Sequence, residues 1–145
     1  MDGTSELTPS EGLLAEPAAL GMTAHPEGGW YRETWRHSEQ LVTPRGMRSL
    51  ATSVAFLLRP GERSAWHRVA SDELWLWQGG GRVRLTLGGP DDHPVATEPV
   101  ELGVGGQLLV PAGIWQSAEP ASEQACLVAC IVSPGFDFAD FELAE

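Results

Sequence analysis

The sequence predicts an all-β domain, a barrel or sandwich of short strands with a short helical segment at its N-terminal end. Three observations carry that reading. Short runs rich in Val, Leu, Ile, Trp and Thr recur along the chain; seventeen glycines and eleven prolines punctuate it, mostly in the turns between those runs; and only its opening carries a helix-start signal.

Met1 to Thr8 is polar, and residues 1–10 are expected to form a flexible N-terminus ahead of a single domain over 11–145. Thr8-Pro9-Ser10-Glu11 has the form of a capping box with proline in the first helical turn. Leu13, Leu14, Ala18, Leu20 and Met22 then make a rough apolar face. Pro17 should break that helix, because it has no N–H to donate and its ring clashes with the preceding turn. The segment is expected to end near Gly21 and to pack on the outside. His25-Pro26-Glu27-Gly28-Gly29 is dense in turn formers, so His25 and Glu27 read as structural turn residues.

Trp30 to Arg36 alternates large and charged residues as a strand does, with Tyr31, Glu33 and Trp35 sharing a face. Thr43 to Gly46 reads as a loop, Leu50 to Leu58 as a buried strand, and Arg59-Pro60-Gly61-Glu62 as a tight turn. Two strands follow, Ser64 to Val69 and Glu73 to Gln78, joined by Ala70, Ser71 and Asp72. If His67 points inward so does Val69, and Glu73, Trp75 and Trp77 share one face of the next strand. Leu74 and Leu76 make the opposite face apolar as well, which calls for a second sheet or a partner subunit behind it. Arg82 to Leu87 is a further strand, Gly88 to His93 a loop, and Pro94 to Leu102 an edge strand, since Pro94 and Pro99 cannot donate to a ladder. Gly105 to Gln116 gives a turn, a short strand, a Pro-x-Gly turn and the start of another strand, which makes Gln116 a partner for His67. Ala118 to Gln124 reads as a polar loop and Cys126 to Val132 as a fully apolar strand. The tail from Ser133 interleaves Phe136, Phe138 and Phe141 with acids and is expected to pack as an edge or a lid. His37 and His93 read as surface loop residues.

At 145 residues the chain suits one domain that buries a core without disulfide or metal staples. It has no lysine, and nine arginines against twenty acids give a formal charge of -11. That balance opposes nucleic acid and anionic membranes, and the absence of lysine removes Schiff-base chemistry. With no basic, apolar leader and no apolar run approaching about 18 residues, the expected location is cytoplasmic. Cys126 and Cys130 would share a strand face about 13 Å apart at roughly 3.3 Å per residue, too far to bridge, and read as buried thiols.

The chemistry concentrates on His67 and Glu73. A glutamate inside a barrel is desolvated and its pKa rises unless His67 or an arginine compensates. Such a group is either a proton-transfer catalyst near neutral pH or half of a buried ion pair with Arg68, Arg82 or Arg84. Trp75 and Trp77 offer indole faces for a sugar or aromatic ligand, or simply core. Tyr31 can donate its hydroxyl into a pocket, and Gln116 can hydrogen-bond there.

These residues also carry a family resemblance. Gly61, His67, Glu73 and Gly80 keep the spacing of the first motif of the cupin superfamily, and Gly105, Pro111 and Gly113 that of the second. More specifically, His25-Pro26-Glu27-Gly28-Gly29-Trp30-Tyr31-Arg32-Glu33-Thr34, Trp66-His67-Arg68 with Asp72-Glu73-Leu74-Trp75, Val110-Pro111-Ala112-Gly113-Ile114-Trp115-Gln116, and Ser133-Pro134-Gly135-Phe136-Asp137-Phe138-Ala139-Asp140-Phe141 resemble the small cupins of the DUF985 (cupin-5) family. The resemblance spans about residues 13 to 143. It implies a double-stranded β-helix, a homodimer, and a small-molecule ligand in the barrel mouth. It does not imply one reaction. Of the three histidines and one glutamate usual in cupins, this chain keeps His67 and Glu73, with Val69 and Gln116 at the other two positions. Three readings follow. The first is an isomerase, epimerase or cyclase in which His67 and Glu73 move the proton while Tyr31, Trp75, Trp77 and Gln116 bind a polar, carbohydrate-like or carbonyl substrate. The second is a dioxygenase or decarboxylase with a divalent transition metal on His67, Glu73 and Gln116. The third is a non-catalytic binding barrel.

Overall fold

A computed structural model describes residues 16–145 of the chain. The flexible N-terminus and the capping box expected at the start lie outside the described residues. What is described of the helical segment is one 3-10 turn, Pro17–Leu20, stopped by Gly21 in the left-handed conformation (φ 70°). Thirteen strands follow among the described residues: β1 (Thr23–Ala24), β2 (Trp30–Arg36), β3 (Gln40–Thr43), β4 (Gly46–Ser49), β5 (Thr52–Leu58), β6 (Ser64–Val69), β7 (Asp72–Gly80), β8 (Val83–Leu87), β9 (Val100–Leu102), β10 (Gln107–Val110), β11 (Gln116–Pro120), β12 (Cys126–Ser133) and β13 (Phe141–Leu143).

They form two facing sheets and a hairpin. One sheet runs β1-β2-β5-β12-β7-β10, the other β13-β6-β11-β8-β9, and β3 pairs with β4 apart from both. Every pairing is antiparallel. Inward residues of both sheets, among them Leu58, Trp75, Leu85, Val110 and Val128, meet in one core, as sandwiched sheets require. A smaller cluster on the outside seats the N-terminal turn through Met22 and Leu20 against Leu57 and Trp30. Leu74 and Leu76, on the outer face of β7, are only partly buried, so the second layer expected behind them is not supplied in full by the described residues.

The observed strands correct several expectations. Thr43 to Gly46, read as a loop, is the turn of the β3–β4 hairpin, with the Thr43 hydroxyl donating to the Gly46 carbonyl. The edge strand expected over 94–102 is confined to β9, because residues before it fold back on β8, Val95 N–H donating to the Gly88 carbonyl and Thr97 N–H to that of Leu87. The loop expected over 118–124 begins later, since β11 continues to Pro120 on β8. The tail is both an edge and a lid. β13 pairs with β6, and the turn before it is strapped to the hairpin by the buried Asp140 carboxylate, which accepts from Arg48 (2.8 and 2.9 Å) and Arg45 (3.1 Å). Cys126 and Cys130 are free and buried, as expected, and burial pushes the Cys126 thiol up to about 12. Among the described residues no helix is long and apolar enough to cross a membrane.

Candidate active site

The core fills one end of the barrel; a cavity of about 520 Å³ occupies the other. Its size is that of a small-molecule site. β7 enters this end with Glu73 and Trp75 on its inner face, and the paired β6 and β13 bring His67, Val69 and Phe141. Tyr31 and Glu33 come from β2. Trp77 lies on the same face of β7 but further along it; it is not part of the lining and instead donates its Nε1–H to the Gly81 carbonyl at 2.8 Å. Strand periodicity gives a side chain's face, and depth along the barrel decides the rest.

Glu73 is 8% exposed. None of the arginines considered as its ion-pair partner reaches it: Arg68 bonds Glu142, Arg82 bonds Glu101, and Arg84 bonds Glu101 and Glu119. Its hydrogen-bonding neighbours are neutral, the Gln116 amide, donating to Oε1 at 2.8 Å, and the Cys130 thiol. Burial therefore dominates and raises the Glu73 pKa above the ordinary carboxyl value, against the opposing hydrogen bonds.

Gln116 is fully buried behind this carboxyl, paired across the sheet with His67. Its amide oxygen accepts the Trp75 Nε1–H at 2.9 Å and its amide nitrogen donates to Glu73. Gln116 is thus a positioning residue that links Trp75 to Glu73, and it is not among the cavity-lining residues.

The sequence reading missed Glu27. The turn that carries it turns back against β6, its carbonyl accepting from Ala65 N–H at 2.7 Å. Gly28 (φ 108°) and Gly29 (φ 76°) make that approach possible, because a Cβ on Gly28 would overlap the Arg63 carbonyl and one on Gly29 would crowd Phe56 and the Leu57 carbonyl. Glu27 is consequently buried among Ser64, His25 and His67. The Ser64 hydroxyl donates to Oε2, while Oε1 is 3.3 Å from both His67 Nε2 and His25 Nδ1.

The hydrogen bonds assign the imidazole tautomers. His67 Nδ1 is 2.8 Å from the Ala65 carbonyl and so carries the proton, leaving the Nε2 lone pair toward Glu27. His25 Nδ1 accepts the Glu27 backbone N–H at 3.1 Å, which leaves its proton on Nε2. Glu27 Oε1 therefore faces two lone pairs, the environment of a protonated carboxyl. Burial, with a contribution from the charge of Glu73, pushes the Glu27 pKa well up, and burial lowers both histidines to about 4. Between pH 5 and 7 His67 should remain a neutral Nδ1–H tautomer, which long-range ¹⁵N–¹H correlation spectra would read directly; an imidazolium signal at pH 6 would contradict the assignment. A histidine lowered from 6.5 to about 4 contributes stability above pH 6.5 that is lost as the pH falls through 4.

These contacts bear on the metal reading. Val69 lines the cavity without a lone pair, the Gln116 oxygen is turned to Trp75, and His67 Nε2 faces Glu27. Among the described residues no group of three His, Cys, Asp or Glu is arranged to hold a metal. The set His67, Glu73 and Gln116 does not fit a divalent transition metal, which favours imidazole and charged donors. Elemental analysis of protein purified without chelator should give well under one equivalent per chain, and chelator should leave the melting temperature unchanged; one tightly held equivalent would contradict this geometry.

Aromatic rings complete the walls. His25 has Tyr31, Phe141, Phe138 and Phe56 within 4.7–6.0 Å of its ring centre, and Phe141 stacks on His67 at 5.5 Å. At the rim Arg36 donates two hydrogen bonds to Glu33 (2.7 and 3.1 Å) and one to the Phe136 carbonyl (3.2 Å). Arg36 faces inward because β2 carries a bulge. Glu33 pairs with Val54 and Arg36 with Thr52, so the extra residue between them turns Trp35, expected on the face of Tyr31 and Glu33, out to solvent at 50% exposure.

Comparison with known proteins is consistent with this architecture. The family model described as Cupin superfamily (DUF985) matches residues 18–144. A hypothetical protein from Leishmania major is 30% identical and superposes with a TM-score of 0.75, over 93% of this chain and 86% of its own. A protein from Shewanella oneidensis is 33% identical with a TM-score of 0.76, over 92% and 83%. Oxalate decarboxylase from Lactobacillus farciminis, at 24% identity and TM-score 0.61, shares the fold over 84% of this chain and 33% of its own. Among curated proteins none matches.

Proposed function

The chain belongs to the DUF985 family of the cupin superfamily, and we propose that it is an acid–base enzyme acting on a small polar metabolite bound in the barrel cavity. The observation that carries this reading is the pair of carboxyl groups, Glu27 and Glu73, that line one cavity with no arginine among the described residues bonded to either. Carboxyls whose pKa values are raised by burial are suited to exchange protons near neutral pH.

Isomerisation, epimerisation or cyclisation of a carbonyl or carbohydrate-like compound fits this set. The ionised fraction of Glu73 takes a proton from carbon beside a carbonyl, and the protonated Glu27, backed by His67, gives its proton to the carbonyl oxygen. Return of a proton to a neighbouring carbon, or to the opposite face, while Glu27 takes a proton back from the enediol oxygen, completes the turnover and restores both groups. Tyr31 orients the oxygen, Trp75 and the phenylalanines exclude water, and Gln116 holds Glu73 in place.

A pooled exchange assay tests the reading across the whole substrate class. Protein is incubated in D₂O with a pool of aldoses, ketoses, amino sugars and 2-oxo compounds, and protein-dependent exchange of a carbon-bound hydrogen is followed by NMR. Exchange at one position of one compound is expected. No exchange across the pool, or exchange that persists in Glu73→Gln, would overturn the reading, and a ligand retained unchanged would favour a binding barrel.

A further inference from the structure

We infer that the cavity selects a small amine, held as its cation between aromatic walls and the two deep glutamates, and that it rejects carboxylates. The inference deepens the acid–base reading and rests with it on the premise that this cavity holds the ligand.

The charges in the lining are unequal. Glu27, Glu33, Glu73 and Asp137 stand against one arginine, Arg36, and the chain has no lysine. Arg36 is taken up by Glu33 and the Phe136 carbonyl. Asp137 accepts the Ala139 N–H and lies 3.9 Å from Arg48. Among the described residues that leaves Glu27 and Glu73 without a cation, and an anionic ligand would find none either. Such a ligand would lose its hydration and gain no opposite charge in return.

A protonated amine reverses both terms. It brings the counter-charge that the fold withholds from the glutamates. It also meets the lining rings of Tyr31, Phe136, Phe138 and Phe141, whose π-electrons favour cations. An amine that arrives uncharged takes the proton of one carboxyl, so that ammonium and carboxylate form together and no other reactant is needed. His25 Nε2–H has no protein partner among the described residues, and its ring lines the cavity. With the Tyr31 hydroxyl it offers neutral donors for a hydroxyl or carbonyl oxygen near the amine. The ligand class is therefore a small amine carrying an adjacent oxygen, such as an amino sugar or amino alcohol.

Three probes with the same ring separate charge from shape: benzylamine, benzyl alcohol and benzoate. Their affinities are measured at pH 7 and low ionic strength by ligand-observed NMR. Benzylamine should bind about tenfold more tightly than benzyl alcohol and benzoate about tenfold more weakly. The advantage of the amine should collapse in Glu27→Gln or in Glu73→Gln. Equal binding of amine and alcohol, a preference for benzoate, or failure of benzylamine to bind would overturn the inference. So would an amine preference unchanged in both variants, which would mark attraction to the acidic surface. Because this series reads equilibrium binding and the deuterium screen reads turnover, failure of one leaves the other standing.

Discussion

Glu73→Gln should fold as the wild type does and lose proton-exchange activity by about 10²–10⁴-fold, the range that a positioned acid or base supplies. The substitution keeps volume and shape, and its amide oxygen still accepts from Gln116, whose nitrogen now donates to Oε1 at 2.8 Å. What it removes is the group that can take up and release a proton near neutral pH. The stability profile gives an independent check with a definite sign. Glu73 has a raised pKa in the folded chain, so its contribution is fully present below the unfolded value of 4.5 and is lost as pH rises through the folded value. The variant lacks that loss. Its melting temperature should match the wild type near pH 4 and equal or exceed it at pH 8. Retained turnover would remove Glu73 from the chemistry, and a melting temperature lower at pH 8 than that of the wild type would mean that the buried carboxylate is compensated after all.

Trp75→Ala should cost about 3–5 kcal/mol of unfolding free energy. The indole is 1% exposed, packs edge-on to Phe56 at 6.1 Å and supplies the donor to Gln116. Truncation opens a void in the core and leaves the Gln116 oxygen without its hydrogen. Trp75→Phe separates the two effects, because it keeps much of the packing and removes only the N–H; stranding a buried acceptor costs about 1–3 kcal/mol. Urea denaturation reads both. Against a total of about 5–15 kcal/mol for a domain of this kind, the alanine variant would lose a large share of its stability. A cost under about 1 kcal/mol for Ala would mean that neighbouring side chains collapse into the space, and equal costs for Phe and Ala would mean that the hydrogen bond outweighs the packing.

Local alternation made much of the fold legible. β2 and β6 have the bounds that their side-chain pattern predicts, and β12 extends one residue further. Tyr31, His67, Glu73 and Trp75 line the cavity, each on an inward phase of its strand. What a period of two does not encode is depth, which removed Trp77, or a bulge, which exchanged Trp35 for Arg36. The hairpin of β3 and β4 was hidden because its strands are short and largely exposed, and lack a clean alternation of apolar and polar residues. Glu27 was hidden by its own turn chemistry. The available signal was the Gly28-Gly29 pair beside it, since two adjacent glycines suit a turn pressed against another strand, and a carboxylate so placed is drawn into the barrel. Gln116 was paired with His67 correctly, but its hydrogen bonds to Trp75 and Glu73 join elements more than forty residues away and leave no local trace.

The bulge in β2 has an evolutionary meaning. The supernumerary residue lets β2 carry one position more than the stretch of β5 opposite it while Arg36 still faces the rim. Removing Thr34 would leave Trp35 opposite Ser53 and Arg36 opposite Thr52, so the ion pair of Arg36 with Glu33 would persist at the mouth. A single in-frame codon deletion would thereby straighten the strand without altering the charge of the entrance, so chain length can vary here while the rim keeps its residues.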